Sequence, residues 1–137
     1  MFARRSIKTF EAKIFVGFRK AYSYDHNPAN ATKVVEEVCR NAVRTGWCLS
    51  IYPVKYIYTP TFTTGQEYPV DGEDGAEIHV INYPRYPADV EVLKERTISL
   101  AGQLMTALRQ ERVTIVFTDD TIMLEQVAVS TDKSGEK

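Results

Sequence analysis

The sequence predicts an α+β domain with the element order β-α-β-β-α-β-β, a mainly antiparallel sheet and both helices on one face of that sheet. Three observations predict this class. Short segments rich in β-branched and aromatic residues are separated by turn-forming residues. Two longer segments carry apolar residues at helical spacing. Two pairs of successive strands, one central and one at the end, are typical of hairpins and therefore favour antiparallel pairing.

The first strand and the first helix come from the N-terminal third of the chain. Ala12–Phe18 is mostly apolar, β-branched and aromatic, as strands are. After a polar loop, Asn27 before Pro28 is a favourable helix start, because Asn caps free amides and Pro fits the first turn. Gly46 is predicted to end the helix. Its apolar stripe consists of Val34, Val35, Val38, Cys39, Ala42 and Val43.

A long loop separates the two central strands. Trp47–Thr59 contains an alternating pattern, and Pro53 within it favours an edge strand, a bulge or a break. Residues 60–75 are rich in turn formers and predict a long hairpin loop. Ala76–Asn82 then gives the third strand.

The last third of the chain predicts the second helix and a closing hairpin. Asp89 is placed to cap the helix, and Val113–Phe117 and Thr121–Leu124 form two strands around a TDD turn. The stripe of this helix consists of Val90, Leu93, Thr97, Leu100, Ala101, Leu104 and Leu108. The whole order resembles a split β-α-β relative of the ferredoxin-like arrangement.

Length and composition indicate one globular domain: the 137 residues are 44% hydrophobic and 26% charged. We predict a domain over residues 11–127, with a flexible extension over residues 1–10 and a polar tail over residues 128–137. The formal net charge of −1 argues against a long nucleic acid as partner. No segment is apolar enough for a signal peptide or a membrane span, so the cytoplasm, without a membrane partner, is the expected location.

The sequence predicts no catalytic residue, no metal site and no cofactor. His26 and His79 belong to no ligand-spacing motif, and the two cysteines are too few for a zinc site. The glycines fit neither a Walker loop nor a dinucleotide fingerprint. Three pairs of adjacent acids are expected to be solvated: Glu36–Glu37, Glu73–Asp74 and Asp119–Asp120. A protein that binds rather than transforms its ligand is therefore the prediction.

The densest candidate binding site is the segment Asn82–Pro87, which leaves a strand and enters a helix. Tyr83 or Tyr86 has a ring that stacks on a base, and Arg85 is suited to a phosphate. The alternative is that the prolines shape a loop, the tyrosines pack and Arg85 points to water. The pattern alone does not separate these two interpretations.

A second candidate combines the start of the fourth strand with the end of the first. Arg112 is suited to clamping a phosphate if its strand lies beside the Asn82–Pro87 segment, and to a surface ion pair with a neighbouring acid otherwise. Arg19 and Lys20 add charge to the same edge of the sheet, and Tyr22 adds a stacking surface.

Four segments resemble a widespread set of small phage proteins, the first type of Thoeris anti-defence proteins: KIFVGFRKAYSYDHNPANA, CLSIYPVKYIYT, INYPRYP and QERVTIVFTDDTIMLE. The resemblance covers about Lys13 to Glu125. It implies a sponge that binds a cyclic ADP-ribose isomer, and in some members cyclic oligonucleotides, in the cytoplasm of the infected host without cleaving it. It also implies a homo-oligomer, a dimer or a hexamer.

The same resemblance assigns roles to individual residues. Arg112 would hold phosphate and Tyr86 would stack on the adenine, with Asn82 and Arg85 beside them. Two other functions stay open from the residues: a phosphodiesterase that uses Asp119, Asp120 or His79, and a phage protein-interaction module.

Overall fold

The computed structural model describes residues 1–19, 30–58 and 72–127. This part of the chain contains five strands and two helices in the predicted order, so the predicted α+β class is confirmed. The strands are β1 (Glu11–Gly17), β2 (Leu49–Tyr56), β3 (Glu73–Ile81), β4 (Arg112–Phe117) and β5 (Thr121–Glu125); the helices are α1 (Ala31–Ala42) and α2 (Val90–Ala107).

The five strands form one sheet in the order β2-β3-β1-β4-β5, and every pairing is antiparallel. Each helical crossover joins two strands that have a third strand between them: α1 connects β1 to β2 around β3, and α2 connects β3 to β4 around β1. This is the split β-α-β arrangement that the element order predicts. The edge position of β2 also agrees with Pro53, since proline cannot donate to a second ladder.

Alternation along the strands gives the sheet two different faces. Ile14, Ile78 and Ile115 are fully buried on the face that carries the helices. From α1, Val35 and Cys39 pack against this layer, and burial raises the pKa of the Cys39 thiol to about 12. The buried residues of α2 are Leu93, Thr97, Leu100, Ala101 and Leu104, which match most of the predicted stripe.

The helix ends confirm two predicted caps and correct one boundary. Asp89 precedes α2 and its carboxylate accepts from the Glu91 amide at 2.8 Å. Gly46 ends the short 3₁₀ turn after α1 at φ 95°, a conformation that favours glycine. The predicted start of α1 at Asn27 is wrong, because the helix begins after Asn30, whose carbonyl accepts its first amides. Asn27 itself lies outside the described residues.

The predicted loop over residues 60–75 extends too far, because its last three residues, 73–75, belong to β3. β3 begins at Glu73, which lies opposite Tyr56, and the ladder continues through Gly75 opposite Val54. Turn-forming composition suggested a loop, but main-chain pairing with β2 overrides this weak local preference. Residues 59–71 lie outside the described part of the chain.

Asn82 connects three separate segments just beyond the end of β3. Its side-chain amide donates to the carbonyls of Lys8 (2.8 Å) and Ala88 (3.1 Å), and its side-chain oxygen accepts from the Ala88 amide at 3.1 Å. Its own amide donates to the Phe10 carbonyl. The buried Asn82 side chain therefore fixes the chain before β1 and the approach to α2.

Within the described residues, no helix is both long and apolar enough to cross a membrane. The tail over residues 128–137 lies outside these residues. The division into an extension, a domain and a tail stays a prediction.

We predict that Asn82→Ala lowers the free energy of unfolding by about 2–3 kcal/mol, because it leaves buried main-chain groups without their partners. Urea unfolding followed by tryptophan fluorescence measures this. Arg85→Ala, at an exposed neighbouring position, is the control and should change the value by no more than about 0.5 kcal/mol. Equal stabilities of the two variants would contradict the role of Asn82.

Candidate functional site

The sheet face opposite the helices carries a row of polar and aromatic side chains, and we call it the open face. No element among the described residues packs across it in the way that α1 and α2 cover the other face. Its central members come from three neighbouring strands: Phe15 of β1, Tyr52 and Tyr56 of β2, and Glu73, Glu77 and His79 of β3. A face of this composition suits a ligand with both apolar and polar parts.

Glu73 is a buried acid at the start of β3, only 8% exposed. Its Oε2 accepts from the Arg19 amide at 2.6 Å, and its Oε1 accepts from the Tyr58 hydroxyl at 2.7 Å. A buried carboxylate is costly unless it is hydrogen-bonded, and here both oxygens have a donor. The carboxylate is thus held in one orientation by the end of β1 and the end of β2.

A glycine on the neighbouring strand leaves the space that this carboxylate fills. A Cβ atom on Gly17 would collide with the Glu73 carboxyl group, all three of whose atoms lie closer to that position than van der Waals contact allows. A larger residue at this position would displace the carboxylate from its present position. Gly17 is therefore part of the construction of the site.

Two tyrosines form an aromatic wall beside Glu73. The rings of Tyr56 and Tyr58 stack with centroids 6.4 Å apart, and Phe15 meets Tyr56 edge-on at 6.2 Å. The Tyr56 hydroxyl donates to the Ala76 carbonyl at 2.8 Å. Its ring lies across Gly75, where a Cβ atom would overlap it.

Burial raises the pKa of both tyrosines well above the usual value. For Tyr58, the hydrogen bond that its hydroxyl donates to Glu73 and the charge of Glu73 raise the pKa further. For Tyr56, the charges of Glu77 and Glu73 add to the effect of burial. Both hydroxyls therefore act as hydrogen-bond donors at neutral pH and not as bases.

The row continues along the strands with a second acid and a histidine. His79 Nε2 and Glu77 Oε2 lie 3.0 Å apart, within hydrogen-bond distance. The Tyr52 ring lies against the imidazole with centroids 4.3 Å apart. The open face thus carries two acidic and aromatic clusters, one at the C-terminal end of β2 and one near its middle.

Two of the predicted site residues lie at the Glu73 end of the sheet. Arg19 contributes its main-chain amide to Glu73, and its carbonyl accepts from the Gln110 side chain at 2.8 Å. Arg112 begins β4 at this same end, since β1 runs antiparallel to both β3 and β4. Arg112 Nε donates to Glu125 Oε2 at 3.0 Å in a half-exposed pair across the β4–β5 ladder.

The other predicted site residues lie elsewhere. Asn82, Arg85 and Tyr86 follow the far end of β3, and eight residues of strand separate Glu73 from Ile81, roughly 26 Å. Arg85 and Tyr86 are exposed in a turn closed by the Tyr86 amide and the Tyr83 carbonyl. The structure therefore does not bring this segment to Arg112. Tyr22 lies outside the described residues.

Sequence reasoning missed Glu73, Tyr56 and Tyr58. The prediction that Glu73 and Asp74 are both solvated is wrong for Glu73: Asp74 is exposed, whereas the Glu73 carboxylate is buried on the opposite face of the strand. The i, i+2 spacing of Tyr56 and Tyr58 was the available signal, because it places both rings on one side of an extended chain. Among the described residues, no group of three or more His, Cys, Asp or Glu side chains is placed to hold a metal ion.

Two solved structures share this fold. A phage SAM lyase in complex with S-methyl-5'-thioadenosine matches with a TM-score of 0.72 and 20% identity, covering 95% of this chain and 99% of its own. A phage SAM lyase in the apo state matches with a TM-score of 0.70 and 18% identity, covering 95% and 100%. No protein-family model and no curated protein matches the chain. At these identities the likeness establishes the fold.

These neighbours overturn the prediction of a non-enzymatic sponge for a cyclic nucleotide. Both matching structures are of a phage SAM lyase, an enzyme, and this finding contradicts the predictions "not an enzyme" and "sequestration without cleavage". Neither the phosphodiesterase nor the protein-interaction module gains support. The neighbours agree only with the coarser parts of the resemblance, a phage protein and a small-molecule ligand. The Thoeris family itself is not confirmed, and a homo-oligomer stays a prediction.

The raised pKa of Tyr56 predicts a loss of stability in alkali. The unfolded chain ionises this tyrosine near pH 10, whereas the folded chain keeps its proton. The contribution of the Tyr56 hydroxyl to the free energy of unfolding is therefore complete below about pH 10. It declines as the pH rises towards the pKa of Tyr56 in the folded chain, by at most about 1.4 kcal/mol per pH unit. In urea unfolding between about pH 10 and 11, Tyr56→Phe should show a shallower decline than the wild type. Parallel declines would contradict the protonated, buried hydroxyl.

Proposed function

We propose that this chain is an enzyme that cleaves S-adenosylmethionine and releases S-methyl-5'-thioadenosine. The observation that carries the proposal is the buried Glu73 carboxylate, which lies beside the stacked rings of Tyr56 and Tyr58 and accepts from the Tyr58 hydroxyl. The fold that it shares with phage SAM lyase supports the choice of substrate.

The chemistry of the substrate fits this corner of the sheet. The sulfur of S-adenosylmethionine is a sulfonium, a cation without any hydrogen to donate. Such a cation is attracted by a carboxylate and by the faces of aromatic rings. Glu73 supplies the charge, and Tyr56 and Tyr58 supply the rings. The attraction is strengthened because Glu73 is only 8% exposed and is therefore poorly screened by water.

A lyase reaction that yields this thioether needs no group from outside the substrate. One oxygen of the methionine carboxylate attacks Cγ and forms a C–O bond. The Cγ–S bond breaks, and its electron pair returns to sulfur, which becomes the neutral thioether. The remaining four carbons form a five-membered lactone that keeps the α-amino group. No proton, water or oxidant enters the balance.

The protein has two tasks in such a reaction. The first is to bind the sulfonium, which Glu73 does while Tyr58 and the Arg19 amide occupy it as hydrogen-bond donors. A carboxylate held in this way is suited to binding a cation and poorly suited to abstracting a proton. The second task is to hold the methionine chain folded, with its carboxylate behind the Cγ–S bond, where proximity replaces a chemical catalyst.

Among the predicted site residues, Arg19 and Arg112 keep a role in this proposal. Both lie at the Glu73 end of the sheet. We propose that a guanidinium at this end orients the substrate's carboxylate. Asn82, Arg85 and Tyr86 have no part in the proposed reaction because they lie beyond the far end of β3.

We predict that the purified protein converts S-adenosylmethionine to S-methyl-5'-thioadenosine, and that Glu73→Gln lowers kcat/KM by about 30- to 100-fold, mainly through KM. The neutral amide keeps the size of the carboxylate and loses its charge. Liquid chromatography with mass detection measures the thioether. Asp74→Asn, which changes the adjacent exposed acid, is the matched control and should stay within about threefold of the wild type.

The position of an ¹⁸O label in the homoserine that is finally formed distinguishes a lyase from a hydrolase. In water enriched in ¹⁸O, a lactone that later opens acquires the label in its carboxyl group, whereas attack by water on Cγ places it in the side-chain hydroxyl. Fragmentation of the resulting homoserine distinguishes the two. Folded protein that yields no S-methyl-5'-thioadenosine would overturn the proposed function.

A further inference from the structure

The two acidic and aromatic clusters of the open face stand in the same register. Tyr56 lies opposite Glu73 in the β2–β3 ladder, and Tyr52 lies opposite Glu77 four residues along both strands. Because residues four apart share a face, the two tyrosine–carboxylate pairs lie about 13 Å apart on one surface. The second pair takes no part in the bond cleavage proposed above.

The ring of Tyr56 bridges the two clusters. It crosses Gly75, which lies midway between Glu73 and Glu77 on β3. Its hydroxyl donates to the carbonyl of Ala76, a residue that lies between the two acids along β3. The surface from Glu73 to Glu77 is therefore continuous and floored by an aromatic ring.

The second cluster presents its polar groups in a fixed arrangement. Glu77 and His79 are each about one-quarter exposed and lie within hydrogen-bond distance of each other. The Tyr52 ring packs against His79, and the residue remains 47% exposed, so part of its surface is accessible to a ligand. The contact with His79 involves only one Glu77 oxygen, Oε2, and therefore orients the carboxylate.

We infer that Tyr52 and Glu77 bind the adenine of the substrate, with the base stacked on Tyr52 and its 6-amino group donating to Glu77. The inference rests on the proposed function, which places the sulfonium at Glu73. The adenosyl group then extends along the row over Tyr56, and an extended adenosyl group with a contact at each end spans the separation of the two clusters. His79 is a positioning residue that orients the Glu77 carboxylate.

This arrangement selects a 6-amino purine over a 6-oxo purine. A carboxylate only accepts hydrogen bonds, so it pairs with the amino group of adenine and opposes the carbonyl oxygen of hypoxanthine. Stacking on Tyr52 does not distinguish the two bases, since both have the same ring face. Recognition of the base thus depends on Glu77, and affinity for any purine depends on Tyr52.

The test compares S-adenosylmethionine with its 6-oxo analogue, S-inosylmethionine, as substrates. The wild type should prefer the adenosyl compound by about 30-fold or more in kcat/KM, the effect of one unsatisfied polar contact at a partly buried site. Glu77→Gln should reduce this preference to about threefold or less, because an amide both donates and accepts. Tyr52→Leu should raise KM for both compounds by a similar factor and keep the preference.

Glu11→Gln is the matched control. Glu11 is an exposed acid of β1 that lies on the open face, opposite Ile81 of β3. It should keep both the rate and the preference, and all variants are compared at temperatures where circular dichroism shows them folded. A wild type that cleaves both compounds equally, or a Glu77→Gln variant with unchanged preference, overturns the adenine assignment and leaves the cleavage itself intact. A wild type that cleaves neither compound overturns the proposed function, and with it this inference.

Discussion

A carboxylate buried in a sheet must find donors for both oxygens, and one end of this sheet is arranged around that requirement. Glu73 obtains one donor from the main chain at Arg19 and the other from the side chain of Tyr58. Gly17 leaves the volume that the carboxyl group fills. Gln110 holds the Arg19 carbonyl from the end of α2. The ends of three strands thus meet at a single charged group, and the chain after α2 is joined to it through Arg19.

Alternation along the strands explains why the two faces of the sheet differ. Adjacent residues on a strand point to opposite faces, so an apolar core on one face leaves every second position available for other chemistry. Ile78 and Val80 fill the core, whereas Glu77 and His79 alternate with them on the open face. The polar row on the open face therefore takes no position away from the core. For this reason one strand contributes both to stability and to the candidate site.

Local patterns were sufficient to predict the elements, and they could not predict which residues meet. Asp89 and Gly46 act on neighbouring backbone groups, so their roles as helix boundaries follow from the sequence. The contact between Tyr58 and Glu73 spans 15 residues and depends on the β2–β3 register, which composition does not reveal. Glu73 also stands in an acidic, glycine-rich segment that is typical of a solvated loop. The motif around Asn82 predicts a ligand-binding residue, whereas its side chain forms hydrogen bonds with the main chain of Lys8 and Ala88.

The absence of an assembled catalytic set led to the wrong conclusion for a chemical reason. That inference assumes that the protein must supply the nucleophile, the acid or the base. In the proposed reaction the nucleophile is the substrate's own carboxylate and the leaving group is its own sulfonium. The protein then needs a cation site and a means of folding the chain, and a carboxylate beside two aromatic rings provides the first. In the proposed reaction the positive charge on sulfur disappears as the Cγ–S bond breaks, so Glu73 would bind the substrate more strongly than the neutral thioether. The carboxylate proposed to capture the sulfonium would therefore also favour release of the product.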